Sequence, residues 1–230
     1  MDYQLELTNI AKHYKNFVAV DGVDLQIAPG EIVSLLGSSG CGKTTTLRMV
    51  AGLIEPTHGT IRIQGQDMAG IPPHKRDISM VFQNYALFPH LTVYENIIYG
   101  LKMRKIRDKK VLMERASEMM DIVQLSGVEN RLPRELSGGQ QQRVSLARAM
   151  IVKPKVMLFD EPLSNLDAKL RERTRVEIRN LLKRMNVTAI YVTHDQEEAL
   201  TISDRIAVMN KGKIEQITVP AQLYTHPATR

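Results

Sequence analysis

The first thirty residues alternate apolar and polar positions, as at Leu5 and Leu7 and in the segment VDLQI at 23–27. Asp-Gly and Pro-Gly pairs at 21–22 and 29–30 supply turn signals between these segments. An alternation of period two, interrupted by such turns, is typical of strands that bury one face. This part of the chain is therefore predicted to form short antiparallel strands.

After residue 31 the pattern changes to short runs that are almost continuously apolar. They are IVSLL at 32–36, VMLF at 156–159 and TAIYV at 189–193. Runs of this length without alternation are typical of strands buried on both faces of a parallel sheet. The chain is therefore predicted to contain a mostly parallel sheet.

A helical section separates the first of these runs from the second. Thr92 and Glu95 have the spacing of a capping box. A second helix is predicted by an apolar stripe at Leu112, Ala116, Met119 and Val123. The segment from Tyr85 to about Leu136 is therefore predicted to be a helical subdomain inserted into an α/β core, with Pro133 in the loop that leads back.

One further helix is predicted from about Asp167 to Met185, with charged residues on its outer face. Its buried positions are expected to be Ile178, Leu181, Leu182 and Met185. Together these patterns predict one α/β domain over 1–230. It has a mostly parallel sheet, a small antiparallel β subdomain and an inserted helical subdomain.

Composition excludes several classes of protein. Hydrophobic residues make up 43% and charged residues 24% of the chain, which is ordinary for a folded globular protein. No apolar run approaches the ~18 residues of a membrane span, and the start, MDYQLELTNI, does not resemble a signal peptide. Cys41 is the one cysteine, which excludes an internal disulfide and fits a reducing compartment.

The chain is basic, with a formal charge of +6 and a pI near 9.4. Such a charge permits contact with phosphates or with an anionic membrane surface. Aromatic residues are only 5% of the chain and tryptophan is absent, which lowers the expectation of a nucleic-acid partner. The densest basic stretch, Lys102–Arg115, is interpreted as a solvated helix end and linker.

The sharpest chemical signal is GSSGCGKT at Gly37–Thr44, which matches the P-loop pattern. It lies directly after the apolar run 32–36 and before a helical segment, which is the context that the motif requires. The α/β domain is therefore predicted to have a P-loop NTPase core. Its glycines let backbone N–H groups surround a phosphate chain, and Lys43 can reach the terminal phosphates. Thr44 is expected to bind Mg²⁺ through its hydroxyl.

A second signal follows the apolar run at 156–159, where Asp160 and Glu161 stand at the expected strand end. Ligands of open α/β sheets bind at the carboxyl ends of the strands. Asp160 is therefore predicted to be the carboxylate on the Mg²⁺ side, and Glu161 the group that polarises an attacking water. Alone this signal is weak, because an acidic residue after a strand is often a helix cap.

The third signal is LSGGQ at 136–140, which precedes a helix. Ser137 and Gln140 have capping-box spacing, while Gly138 and Gly139 would leave backbone donors uncovered at a helix N-terminus. Simple capping and an anion site explain this segment equally well on physical grounds.

With the P-loop, LSGGQ and LFDEP at 158–162, the chain resembles the nucleotide-binding subunits of ATP-binding cassette transporters. Over nearly its whole length it is similar to the importer ATPases of that family that serve sugars, polyamines and ferric iron. The resemblance implies that Tyr14 stacks on adenine and that Gln83 senses Mg²⁺ and the attacking water. It also implies that His194 contacts the γ-phosphate and that Ser164–Asp167 crosses to a partner subunit.

The implied site residues fall into three groups. The catalytic group is Glu161, His194 and Gln83, and the Mg²⁺ group is Thr44, Gln83 and Asp160. The residues implied to contact ATP are Tyr14, Ser38, Ser39, Gly40, Cys41, Gly42, Lys43, Thr44, Thr45, Ser137, Gly139 and Gln140.

The resemblance further implies an ATPase that powers import through separate transmembrane permease subunits. It would sit peripherally on the cytoplasmic side of the cell membrane and form a head-to-tail homodimer with ATP. The apolar loop Tyr85–Phe88 is expected to be exposed and to meet the permease. Importers of this group usually continue past VPAQLYTHPATR into a regulatory domain, so a short form without that domain is expected.

Two alternatives stay open on the sequence. One is a non-transport cassette ATPase that acts on nucleic acid, which the basic charge permits, although no nucleic-acid partner is expected. Against it, Gln83 and Ser137 are close in sequence, and a single cassette is present. The other alternative is an exporter subunit. The stretch around PPHKRDISMVFQNYALFPH resembles polyamine importers slightly more than sugar importers.

Overall fold

The computed structural model describes residues 2–225, so the end of the segment VPAQLYTHPATR lies outside the described residues. The chain forms two compact units. The first contains the described residues up to Met80, Lys155–Glu161 and the described residues from Arg175 onward. The second contains Val81–Pro154 and Pro162–Thr174.

A six-stranded sheet carries the sequence-predicted parallel strands. Its members are β3 (Ile32–Leu36), β6 (Ile78–Val81), β7 (Val156–Asp160), β8 (Ala189–Thr193), β9 (Arg205–Asn210) and β10 (Lys213–Thr218). The order across the sheet is β10-β9-β3-β8-β7-β6. β3 lies between β8 and β9 and is parallel to both, and β7 is parallel to β8. The carboxyl ends of β3, β7 and β8 therefore meet at one edge.

Helices cover both faces of this sheet. On one face α1 (Lys43–Ala51) shares a core with the alternate positions Val33 and Leu35 of β3. On the other face α6 (Gln196–Ile202) places Ala199 against Leu36 and Ile206. Because both faces are covered, β3 and β8 are buried at every position, which explains their continuous apolar sequences.

A four-stranded antiparallel sheet has the order β2-β1-β4-β5. Its strands are β1 (Leu5–Tyr14), β2 (Phe17–Ile27), β4 (His58–Ile63) and β5 (Gln66–Asp67). The predicted antiparallel pairing of the first thirty residues is confirmed. The turn predicted at Asp21-Gly22 is wrong, because both residues lie inside β2 at a register shift, where Gly22 has φ 67°, and the turn between β1 and β2 is at 15–16. The inner positions of this sheet join the core that α1 shares with the parallel sheet.

The second unit contains three helices, α2 (Val93–Met103), α3 (Lys109–Ile122) and α4 (Gly138–Met150). Thr92 caps α2 with Glu95 in a complete capping box, as the sequence predicts. The predicted apolar stripe of α3 is buried. A 3₁₀ turn at Pro133–Glu135 precedes α4, in agreement with a loop at Pro133.

The helix predicted over 167–185 is α5 (Ala168–Arg184), in which Ile178, Leu181 and Leu182 are buried. Met185 is only half-buried, so that prediction is wrong for one of four positions. The last described helix is α7 (Pro220–Thr225). Between β9 and β10, Lys211 and Gly212 both have positive φ, which is the conformation of a hairpin turn.

Candidate functional site

The P-loop connects the buried strand β3 to α1. Gly42 is the N-cap of α1 with φ 106°, and an added Cβ there would lie 2.6 Å from the carbonyl oxygen of Ala19. Both facts require glycine at this position. Because glycine has no side chain to cap the helix, the first N–H groups of α1 are left to bind something else.

Lys43 lies at the mouth of this loop and is only 4% exposed. Its Nζ donates to the carbonyl oxygens of Gly37 and Ser38, at 2.7 and 2.9 Å. The ammonium group is therefore held over the loop by carbonyls that a stronger anionic acceptor can replace. Of the other predicted residues, Ser38, Ser39 and Gly40 are exposed, Thr44 and Thr45 are half-buried, and Cys41 and Gly42 are buried.

Thr44 meets the carboxylate predicted from β7. The Thr44 hydroxyl donates to Oδ1 of Asp160 over 2.9 Å, although the residues are 116 positions apart. Burial is the main cause that raises the pKa of Asp160, and the Glu161 carboxylate adds to it, while Thr44, Arg48 and Lys43 oppose it. The carboxylate and the hydroxyl are both oxygen ligands of the kind that a small divalent cation prefers. The negative charge of the partly buried carboxylate is not fully neutralised by neighbouring cationic groups.

This pair fits Mg²⁺. Among residues 2–225 no group of three or more His, Cys, Asp or Glu side chains could hold a metal. Mg²⁺, however, is usually held by one or two protein oxygens, several waters and the phosphates of a substrate, rather than by a cage of side chains. Thr44 and Asp160 supply the protein oxygens that such an ion needs.

Replacing Asp160 with Asn should raise the Tm of the nucleotide-free protein at neutral pH. The pKa of Asp160 is higher in the folded state than in the unfolded state, where it is near 3.9 for Asp. Ionisation of Asp160 therefore destabilises the folded state at pH values above the folded-state pKa. The gain should therefore shrink as pH falls toward 4. A gain of about 1 kcal/mol corresponds to about 2–4 °C for a chain of this size. Thermal unfolding followed by circular dichroism, at several pH values, measures it.

The matched control is Asp204→Asn. Asp204 lies 2.5 Å from Lys183 and accepts the backbone N–H of Ile32 at 2.9 Å, so its charge is compensated. Its replacement should lower the Tm. An Asp160→Asn variant whose Tm is unchanged or lower at pH 7 would contradict the charge argument.

Glu161 follows Asp160 and contacts His194. Nδ1 of His194 lies 3.1 Å from Oε2 of Glu161. With Glu161 ionised, Nδ1 carries the proton of this bond, and Nε2 is the nitrogen directed away from Glu161. Glu161 itself has φ 47°, a left-handed conformation that costs a non-glycine residue energy, and its N–H donates to the carbonyl of Val192. The fold thus holds this carboxylate in a conformation that the residue does not prefer.

Tyr14 ends β1 with its side chain 48% exposed, and the ammonium of Lys12 lies 5.4 Å from the centre of its ring. An exposed aromatic face of this kind is available for stacking on a base. It belongs to the same unit as the P-loop, Asp160, Glu161 and His194.

The LSGGQ segment lies in the second unit, at the start of α4. Ser137 is the N-cap and Gln140 completes a capping box, which confirms the capping interpretation. Capping by Ser137 and Gln140 does not require glycine at the positions between them. Packing does not require it either, because a Cβ on Gly139 would meet only the Leu170 side chain at 3.5 Å, an ordinary contact. Packing within this unit therefore does not require glycine there, which favours the close approach of another molecule.

Gln83 also lies in the second unit and is exposed. Its backbone carbonyl accepts a hydrogen bond of 2.9 Å from the Nδ2 of Asn165, which belongs to the predicted Ser164–Asp167 loop. Two segments that the sequence singled out separately are thus brought together inside this unit.

The expectation that Tyr85–Phe88 is an exposed apolar loop is correct for Ala86 and wrong for the other three residues. Tyr85 is 6% exposed, and Leu87 and Phe88 are half-buried. Tyr85 and Ala86 have φ 59° and 47°, and their carbonyls accept hydrogen bonds from the guanidinium of Arg148. Sequence reasoning missed Arg148. The signal that could have identified it is a basic residue within an otherwise small and apolar helical segment, VSLARAM.

No helix in the described part of the chain, residues 2–225, is long and apolar enough to cross a membrane.

A glycine-rich loop between a parallel strand and a helix, with an acidic strand end beside it, defines a P-loop nucleotide-binding domain. The chain belongs to the ABC transporter family, whose family model matches residues 20–164.

Similar proteins agree with this assignment. The chain is 52% identical over 230 residues to the spermidine/putrescine import ATP-binding protein PotA of Thermobifida fusca, covering 98% of this chain and 60% of that protein. It is 55% identical over 221 residues to the Fe(3+) ions import ATP-binding protein FbpC of Rhizobium etli, covering 96% and 62%. The chain therefore spans about 60% of the length of these curated relatives.

A solved structure of the same fold is the ATP-binding cassette MJ0796, described as a dimeric post-hydrolysis state bound to ADP and Pi. It superposes with a TM-score of 0.82 at 33% identity, over 94% of this chain and 98% of that chain.

Proposed function

We propose that this chain is a single ATP-binding cassette that binds and hydrolyses ATP and powers import through separate transmembrane permease subunits. One observation carries the proposal: Lys43, Thr44, Asp160, Glu161 and His194 lie in one unit at the carboxyl ends of β3, β7 and β8. Family membership and relatives named as import ATP-binding proteins support it. The helical subdomain, about 85–136, is proposed to be an insert within the cassette.

The phosphate chain of ATP would be bound by the P-loop. The N–H groups at the start of α1 would donate to phosphate oxygens, and Lys43 would exchange its carbonyl partners for the terminal phosphates. Thr44 and Asp160 would hold Mg²⁺, and a role for Gln83 at this ion stays a prediction from the sequence. When bound, Mg²⁺ neutralises charge on the phosphate oxygens.

Glu161 and His194 would act on the attacking water. The Glu161 carboxylate accepts a proton from that water, which makes the oxygen a better nucleophile. His194 donates through Nδ1 to Glu161 and directs Nε2 away from it, so its ring can hold Glu161 and contact the γ-phosphate together. The same carboxylate therefore needs His194 for orientation and the water for reaction.

A second copy of the chain would complete each site. The uncovered N–H groups at Gly138 and Gly139, with Ser137 and Gln140, would bind the γ-phosphate held by the partner's P-loop. The absence of a packing requirement for glycine at 139 supports this contact. Because each copy would offer the same two surfaces, the pair would contain two composite sites.

ATP should therefore control the oligomeric state. We expect the chain to be a monomer or weak dimer without nucleotide, and the Glu161→Gln variant to form a stable dimer with ATP. The physical reason is that ATP would bind across both copies and stabilise only the closed pair. Light scattering of the variant with and without ATP measures the mass directly.

The control for this experiment is the double variant Lys43→Ala, Glu161→Gln, which loses the phosphate contact and should stay monomeric with ATP. If Glu161→Gln has the same mass in both conditions, nucleotide does not drive the closure.

Base selectivity should be modest. An aromatic ring such as Tyr14 stacks on any base, so GTP should be hydrolysed within about tenfold of ATP, a difference of ~1.4 kcal/mol. Steady-state hydrolysis of both nucleotides measures the ratio. Tyr14→Phe should leave the hydrolysis rates of both nucleotides unchanged, and Tyr14→Ala should lower both rates to a similar extent. Strict selection of ATP would point instead to a contact with the edge of adenine.

Import through a permease is favoured over an action on nucleic acid, because the relatives reported above are import ATP-binding proteins. The two relatives differ in cargo but match at 52% and 55% identity, so identity does not discriminate between polyamines and ferric iron. The basic test of the proposal is Mg²⁺-dependent release of phosphate from ATP by the purified chain. No release by the folded protein would reject it.

A further inference from the structure

The chain around His194 is anchored to a buried carboxylate on α6. Oε2 of Glu198 accepts hydrogen bonds from the hydroxyls of Tyr191 at 3.2 Å and of Thr193 at 2.9 Å. Glu198 is 3% exposed, Thr193 2% and Tyr191 0%. A buried acidic residue is costly unless hydrogen-bonded, and here two hydroxyls stabilise the same oxygen.

The Thr193 hydroxyl continues this network past His194. Its one proton is donated to Glu198, so its lone pairs can accept the backbone N–H of Asp195, which lies 3.0 Å away. Asp195 in turn caps α6, accepting the N–H groups of Glu197 and Glu198 with its own Oδ1. The residues on both sides of His194 are therefore tied to Glu198.

His194 depends on its backbone for its position. Its side chain is 58% exposed, so packing does not fix the ring. The ring is located by the Glu161 contact at one end and by the anchored segment at the other. A catalytic group displaced by about 1 Å can lose up to ~10²-fold in rate.

We propose that Glu198, acting through the hydroxyl of Thr193, is the positioning residue that holds His194 against Glu161. This inference rests on the proposed function, because it assigns Glu198 a part in ATP hydrolysis. Neither Glu198 nor Thr193 needs to touch nucleotide for this. Their effect should consequently appear in kcat and not in the binding of ATP.

Thr193→Val and Tyr191→Phe form a matched pair of variants. Each removes one buried hydroxyl that donates to the same oxygen of Glu198, and the Tyr191 ring, stacked on Phe159, keeps its packing in the Phe variant. Thr193 is also bonded to the residue after His194. Both variants should lower the Tm, but only Thr193→Val should lower kcat.

The expected result for Thr193→Val is a kcat reduced by about 10- to 10²-fold with a KM for ATP within about threefold. The reason is that a displaced His194 no longer orients Glu161 toward the reacting water, whereas the P-loop still binds ATP. Tyr191→Phe should keep kcat within about twofold. In a His194→Ala background Thr193→Val should have no further effect on kcat, since its path runs through His194.

Glu198 itself is tested with two variants, in case Thr193→Val does not fold. Glu198→Gln keeps an oxygen that accepts hydrogen bonds from both hydroxyls. Its kcat should therefore be at least tenfold higher than the kcat of Glu198→Ala. Equal losses of kcat in Thr193→Val and Tyr191→Phe, or additive losses with His194→Ala, would overturn the assignment. Absence of hydrolysis in the unmodified chain would reject the proposed function instead.

Discussion

Replacing Glu161 with Gln should reduce ATP turnover by ~10²–10⁴-fold, the usual range for loss of a general base. The amide keeps the size of the side chain but cannot accept the proton of the attacking water. ATP binding and the fold should be retained, because the amide has the same shape as the carboxylate and the proposed phosphate contacts are made by the P-loop and Lys43. Single-turnover hydrolysis and equilibrium nucleotide binding, measured on the same preparation, separate the two effects.

The matched control is Glu31→Gln. Glu31 is also a partly buried glutamate, but it lies just before β3, at the opposite edge of the sheet, and it pairs with Arg205 at 2.5 Å. Its replacement should affect stability and leave turnover within about twofold, since it acts on no reacting group. Full activity in Glu161→Gln would remove Glu161 from the catalytic role proposed above.

Replacing Lys43 with Ala should weaken ATP binding itself by about 10- to 10²-fold, because a hydrogen bond to a charged group contributes about 1.5–3 kcal/mol. The loss should be larger for ATP than for AMP, which lacks the terminal phosphates. Fluorescent-nucleotide titration measures both affinities.

Lys43 also bonds the carbonyls of Gly37 and Ser38, so the Ala variant could act by loosening the loop. Two further variants separate charge from packing. Lys43→Met keeps most of the buried stem and should lose as much affinity as Ala, whereas Lys43→Arg keeps the charge and should lose less. ATP affinity unchanged in all three would count against the phosphate-binding role of the loop.

Local sequence was sufficient for the elements whose signals lie within a few residues. The capping boxes at Thr92 and Ser137 and the P-loop between β3 and α1 are where the patterns predict them. In each case the hydrogen bonds that define the feature join neighbours in the chain. The strands β9 and β10 were not predicted, since their pairing depends on their place in the sheet.

Burial of single residues was less predictable. The run Tyr85–Phe88 indicated an exposed apolar loop, yet Tyr85 is buried and Arg148, far along the chain, bonds its carbonyl. A run of four residues does not specify which of them another helix will cover. Sequence alone also did not identify the network of Glu198, Thr193 and Tyr191. In the sequence these residues are only polar positions in and before HDQEE, and nothing local shows that the fold buries them together.

The sequence by itself determined which chemical groups this protein possesses: a phosphate-binding loop, an acidic pair after one strand and a histidine after another strand. Each could be predicted because the signals for strand, turn and helix lie within a few neighbouring residues. The tertiary structure alone decided that these groups meet. β3, β7 and β8 are far apart in the chain, and their parallel order brings Thr44 to Asp160 and His194 to Glu161. Their order is decided by the packing of helices on both faces of the sheet, a long-range property that no short segment contains.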